Sequence, residues 1–127
     1  MGSVRRGSKY HAHKVKNEYG TFDSNKEYAR WCVLKRLQED GVISELERQK
    51  RYVLIPAQRE PDTVGPKGGI RKGKLIEREC VYIADFVYFN NKSGAYVVED
   101  CKGFRTTEYK IKKKLMLYVH GIRVEES

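Results

Sequence analysis

Asp85, Glu99, Asp100 and Lys102 have the types and spacing for metal-assisted phosphodiester chemistry. Asp85 interrupts the apolar run from Val81 to Tyr88, and Asp100 ends another, Tyr96-Val97-Val98-Glu99. Aspartate is disfavoured in strands, and a buried carboxylate costs several kcal/mol unless it is paired or bound to a cation. Strand alternation puts Asp100 and Lys102 on one face and Glu99 on the other. If the two apolar runs pair as a hairpin, Asp85 stands beside Asp100 across the ladder. Carboxylates that close raise each other's pKa unless a cation lies between them. Mg²⁺ takes one or two carboxylates, keeps several waters and binds phosphate oxygens with its remaining positions. A neighbouring lysine then offsets phosphate charge and orients or activates the attacking water. The competing reading is structural, with Lys102 in an ion pair with Asp85 or Asp100 on a solvent-facing side of the sheet. A register shift at a bulge would instead make Glu99 the ligand.

Those residues need elements to hold them. A helix is predicted over 24–40: Ser24-Asn25-Lys26-Glu27 fits a capping box and Gly41 a C-terminal stop. Its apolar residues, among them Ala29, Trp31, Cys32, Val33, Leu34 and Leu37, spread widely, so cover on more than one side is expected. Residues 42–48 are an ambiguous connector, and 49–56 a strand closed by Pro56. Residues 57–73 hold two prolines and four glycines and read as a loop. Within it begins a GxxxxGK spacing, Gly68 to Lys74, but Leu75 follows where a phosphate-binding loop needs Ser or Thr, which excludes an NTPase. The β-formers of 75–89, the turn Asn90–Gly94 and the strand 95–101 make a hairpin. Residues 107–119 form the clearest helix, capped by Thr106 or Thr107 and ended by Gly121. Tyr109, Ile111, Leu115, Met116, Tyr118 and Val119 share one half of it, Lys110, Lys113 and Lys114 the other, and Lys112 falls inside the apolar half. Ile122–Glu125 alternates as a last strand. The order implies an α/β, or mixed α+β, domain with a central mixed sheet flanked by helices.

The chain of 127 residues suits one domain, here 21–127 behind a basic arm, 1–20. Lys and Arg number 26 against 17 acids, a formal charge of +9 that favours a polyanionic partner. The cations cluster in the arm (Lys9 and Lys14 among them), around Lys67–Arg78, and from Lys102 through Arg105 to Lys110, Lys112, Lys113 and Lys114, which suits a nucleic-acid cradle. His11 and His13 read as solvated or phosphate-contacting. No apolar run reaches the ~20 residues that span a bilayer, so no membrane partner is expected. The N-terminus lacks an apolar signal core, and Cys32, Cys80 and Cys101 form no CxxC motif, which favours reduced thiols in a cytoplasm.

Asp85, a spacer, Asp100-Cys101-Lys102 at the end of an apolar strand and then a basic amphipathic helix resemble the PD-(D/E)XK nuclease superfamily. The chain looks closest to a group of small, little-characterised phage and prophage proteins of that superfamily. The stretches that carry the likeness are Ser8-Lys9-Tyr10, Thr21–Glu27, Ile43–Gln49, Tyr82–Phe86 and Val98–Gly103, with Thr106, Tyr109 and Lys112. The resemblance implies a restriction-endonuclease-like core, Mg²⁺ or Mn²⁺, a DNA substrate, and Glu27 joining Asp85 and Asp100 as metal ligands beside the catalytic Lys102. It implies a phosphate contact for Lys112; Gln49 reads as a surface residue or a contact to metal-bound water or phosphate, Tyr109 fits the core, and the row Lys110, Lys113 and Lys114 is either a solvated face or a DNA rail. Cutting two strands or a four-way junction would require a homodimer or two binding events. The rivals are a non-catalytic nucleic-acid-binding protein, whose charge and tyrosines suit backbone contact and stacking, and a structural assembly protein.

Overall fold

The computed structural model describes residues 14–17 and 20–127, so Lys9, His11 and His13 lie outside the described residues. Val15–Asn17 (β1), expected in the arm, pair antiparallel with Gly20–Phe22 (β2), and Phe22 is buried. The first helix, α1, spans Asn25–Glu39, with Ser24 Oγ accepting the Glu27 N–H at 3.1 Å. The capping box closes one residue early, because Glu27 Oε1 accepts the Asp23 N–H rather than that of Ser24.

The strand expected over 49–56 runs much longer, Ile43–Ile55 (β3), and absorbs the ambiguous connector. The expected loop is a ribbon of short strands: Gln58–Arg59 (β4), Thr63–Val64 (β5), Ile70–Arg71 (β6) and Leu75–Glu77 (β7). The stretch 75–89 is therefore broken, and its main strand is Cys80–Asn90 (β8). Ala95–Asp100 (β9) completes the expected hairpin. The second helix, α2, spans Thr107–His120, capped by Thr106, whose Oγ1 accepts the Tyr109 N–H at 3.0 Å. The last strand is Glu125–Glu126 (β10), later than Ile122–Glu125, and lies parallel to β9.

The central sheet has the order β10-β9-β8-β3, antiparallel except at β10, with one helix on each face: a mixed-sheet α+β fold. Leu34 of α1 packs with Ile43, Phe86, Tyr88 and Val97. Tyr109 and Met116 of α2 pack with Leu54, Tyr82, Ala84, Val87, Val98 and Val124. Cover is narrower than the sequence suggests. Ala29, Cys32 and Val33 of α1 face solvent, as do Ile111, Tyr118 and Val119 of α2. Each helix packs on one sheet face, and among the described residues no further layer covers its flanks. Among the described residues no helix is long and apolar enough to cross a membrane.

Two strands change their facing at the same level. Tyr82 and Ala84 point to the α2 side of β8, yet Phe86 and Tyr88, in the same alternation, point to the α1 side. In β3, Leu46 packs on the α1 side whereas Tyr52 and Leu54 pack on the α2 side. Gln49, between them, has φ +56°, a left-handed conformation that turns the strand about itself. Gly121 is also left-handed, at φ +68°, where its N–H meets the Leu117 carbonyl and closes α2. Gly121→Ala is expected to lower stability by about 1 kcal/mol, read as a shift in urea midpoint at constant slope.

Candidate active site

One cross-strand row carries the candidate residues. Gln49 falls between the pairs Arg48↔Phe86 and Lys50↔Ala84, so it stands opposite Asp85. Extending Phe86↔Glu99 by one residue puts Asp100 on the other side of Asp85. The Cys101 N–H donates to Asp85 Oδ2 at 2.9 Å. Asp100 is 1% exposed; the Tyr82 hydroxyl donates to its Oδ2 at 2.5 Å and Lys102 Nζ lies 3.6 Å from its Oδ1. That Oδ1 is buried and accepts no hydrogen bond among the described residues. Glu27, 2% exposed, reaches the row from the first turn of α1, where Gln49 Nε2 donates to its Oε2 at 3.2 Å. The facing change at Gln49 is what aims that amide at Glu27.

The electrostatics follow from burial without a full set of partners. Burial, and then the neighbouring Asp100 carboxylate, push Asp85 up to about 8, against the Cys101 N–H. Burial also raises Glu27, opposed by the Asp23 N–H and the Arg48 guanidinium 3.8 Å away. Arg48 is itself held by the Thr21 carbonyl at 2.8 Å and by the face of Phe22, 3.7 Å from the ring centre.

The row opens into two adjacent depressions. One of about 300 Å³ is bordered by Asp100, Tyr82, Tyr109 and Lys112; the other, about 560 Å³, by Glu27, Asp85, Lys26 and Phe104. Lys102 and Thr106 border both. Lys102 Nζ sits 5.0 Å from the centre of the Tyr109 ring, which supports the ammonium from below. The donor set is carboxylate oxygen only, which suits a hard divalent cation. The buried Oδ1 without a donor and the raised Asp85 both describe a place short of positive charge. Among the described residues no three acidic, His or Cys side chains are assembled to hold a metal ion. Asp100 is turned toward Tyr82, Asp85 toward Cys101 and Glu27 toward Asp23, each by a hydrogen bond.

Glu99 stands apart. It faces α1, where Arg30 donates to it twice, at 2.6 and 2.9 Å, and the Tyr88 hydroxyl donates at 2.7 Å. Burial pushes its carboxyl up, but the bonds from Arg30, Ser127 and Tyr88 outweigh burial and hold it below the usual range. Arg30→Ala strips a buried carboxylate of its cation and is expected to lower stability by about 2–4 kcal/mol, measured by urea unfolding.

The cationic residues divide. Lys112 pairs with Glu108 at 2.8 Å and borders the smaller depression, as its inward direction on the helix predicts. Arg105, Lys110, Lys113 and Lys114 border a separate groove of about 560 Å³ along α2, with Arg123. There Arg105 pairs with Glu126, and Lys113 and the Tyr109 hydroxyl reach Glu126 at 3.0 and 2.8 Å. Lys14 lies 4.0 Å from Asp23, which borders the larger depression. Sequence reasoning missed Tyr82, Arg48 and Arg30. Tyr82 carried a signal, being a hydroxyl three residues before Asp85 in an apolar strand; the two arginines, in a charge-rich helix and an unassigned connector, carried none.

A family model described as a protein of unknown function, DUF1064, matches residues 7–123, and the chain belongs to that family. No curated protein and no solved structure matches it.

Proposed function

For this member of the DUF1064 family, we propose a metal-dependent deoxyribonuclease of the PD-(D/E)XK kind, acting on branched or otherwise structured DNA in phage replication or recombination. The observation that carries this reading is the row Gln49–Asp85–Asp100, with Glu27 reaching it from α1, Lys102 two residues on, and a buried Asp100 oxygen that accepts no hydrogen bond among the described residues. Asp85, Asp100 and Glu27 would hold Mg²⁺ or Mn²⁺, which supplies Lewis-acid polarisation of the phosphate and a more acidic bound water. Lys102 Nζ, at the border of both depressions, offsets charge on the phosphate and orients the attacking water. The Tyr82 hydroxyl holds the Asp100 carboxylate in position, and Gln49 holds Glu27. Lys112 meets the phosphate beside the one cut, and the groove of Lys110, Lys113 and Lys114 takes the backbone further along. These contacts carry no base readout, so selection rests on DNA shape.

The test incubates the protein with labelled duplex, single-stranded, flap and four-way-junction DNA in Mg²⁺, Mn²⁺ or EDTA, beside Asp100→Ala and Lys102→Ala. Metal-dependent cutting absent from both folded variants is expected, and the preferred DNA names the substrate class. The second reading, a non-catalytic nucleic-acid-binding protein, draws support from the unassembled carboxylates and the cationic groove. It forecasts salt-sensitive binding with no cutting in any metal, unchanged by Asp100→Ala.

A further inference from the structure

The ribbon outside the central sheet is not part of the site. Beyond the pair Ile55↔Cys80 the β3–β8 hairpin leaves the central sheet and continues as a ribbon, first β4 against β7, then β5 against β6. Its middle is stiff. The Glu60 N–H donates to the Lys74 carbonyl at 2.8 Å, the Asp62 carboxylate accepts the Gly73 N–H at 2.7 Å, and Arg59 donates to the Gly73 carbonyl at 3.0 Å. A Cβ on Gly73 would come within 1.6 Å of the Glu60 carbonyl oxygen, so two backbones are clamped at a distance only glycine allows. At the tip the Gly65 N–H donates to the Gly69 carbonyl at 2.6 Å.

The tip's surface is unlike a solvated turn. Val64 and Ile70 face each other across the last pair and are 74% and 78% exposed. From Thr63 to Lys74 the chain carries Lys67, Arg71, Lys72 and Lys74 and no acid. A stiff ribbon whose end, from Thr63 to Lys74, is cationic and apolar is complementary to double-helical nucleic acid. Two strands fit a groove, cations meet phosphates, and an apolar pair can wedge against a base step. Reach agrees. At about 3.3 Å per residue, Cys80 lies roughly 17 Å from Asp85 along β8, and the tip at most about 50 Å, against about 34 Å per turn of duplex.

We propose that residues 57–79 form a DNA-gripping finger, with Lys67, Arg71, Lys72 and Lys74 on phosphates and the Val64–Ile70 pair seated against an opened base step within about one and a half helical turns of the carboxylates. The proposal takes DNA as partner from the nuclease reading, but its geometry does not depend on the carboxylate site.

The test measures binding of the full chain in EDTA, without turnover, to duplex and four-way-junction DNA carrying a fluorescent base analogue that brightens when unstacked. Replacing Lys67, Arg71, Lys72 and Lys74 together by glutamine is expected to flatten the plot of log affinity against log salt by about 3–4. Val64→Ser with Ile70→Ser is expected to keep that slope and lose the brightening. An unchanged slope in the first variant, or surviving brightening in the second, overturns the finger. So does a wild-type chain that self-associates through Val64 and Ile70 with no DNA signal. Binding with the full slope but no cutting would sink the nuclease reading and keep the finger. Normal cutting with an unchanged slope after loss of the four cations would do the reverse.

Discussion

Asp100→Asn is expected to lower Mg²⁺-dependent DNA cleavage by at least about 10³-fold, while raising the stability of the metal-free protein by about 1–2 kcal/mol. The two signs have one origin. Asp100 is almost wholly buried beside Asp85, with one oxygen that accepts no hydrogen bond among the described residues and meets only Lys102, 3.6 Å away and partly solvated. Asparagine keeps an acceptor for the Tyr82 hydroxyl and removes a buried carboxylate that opposes the ionisation of Asp85. A partly exposed lysine pair gives back little. The same substitution deletes the anionic oxygen that would bind the cation. Cleavage rates in Mg²⁺ and urea midpoints in EDTA read the two effects separately. A variant that cuts within about tenfold of wild type would leave Asp100 without a part in the chemistry. A large loss of stability would contradict the electrostatic account of its burial.

Metal-free stability is expected to fall as pH rises from about 5 to 8, the reverse of ordinary acid denaturation. Asp85 binds its proton up to about 8 in the folded chain but only near its ordinary 3.8 when unfolded. Between those values the folded state holds the extra proton. Its contribution is complete below the unfolded value and lost as pH passes through the folded one. The slope is at most about 1.4 kcal/mol per pH unit for one proton. Glu27, also raised by burial, acts in the same sense. Glu99, held low, adds stability that disappears only as pH falls below the usual carboxylate range, outside this window. Saturating Mg²⁺ should flatten the slope, because ligation keeps the carboxylates ionised. Urea midpoints in EDTA and in Mg²⁺, with Asp85→Asn alongside, check this. A flat profile in EDTA would mean that Asp85 is ionised throughout.

The β8–β9 hairpin and the placement of Asp85 beside Asp100 were legible because period-2 alternation and a strong turn, Asn90–Gly94, fix register locally. Both helix caps were legible for the same local reason. The long β3 was not: Ser44 to Arg51 is mostly charged and polar, and its pairing with β8 is tertiary. Nor were the facing changes at Gln49 and Asp85, since no simple pattern marks a left-handed glutamine within a strand. They make Gln49 a neighbour of Glu27 and place Arg48 behind it. Alternation favours Asp100 over Glu99 because it puts Asp100 on the Lys102 face; the Arg30 pair that holds Glu99 on the α1 face was not legible, because it depends on how α1 docks on the sheet.

The ribbon and the strands beneath it pair in three successive ladders, from Val64↔Ile70 at the tip, through β4 against β7, to the β3–β8 ladder that runs from Ile55↔Cys80 to Ile43↔Asn90. A ladder with a tight turn at its head can zip. Each pair closes only a small additional loop once its predecessor is made, so Ile43 and Asn90, remote along the chain, meet as the last of a series of near neighbours. Chain assembly therefore need not pay the entropy of one large closure to bring Gln49 to Asp85. The row forms part-way down the zip, after Tyr52↔Tyr82 and Lys50↔Ala84 have closed and before the register shift between Glu47 and Ser44.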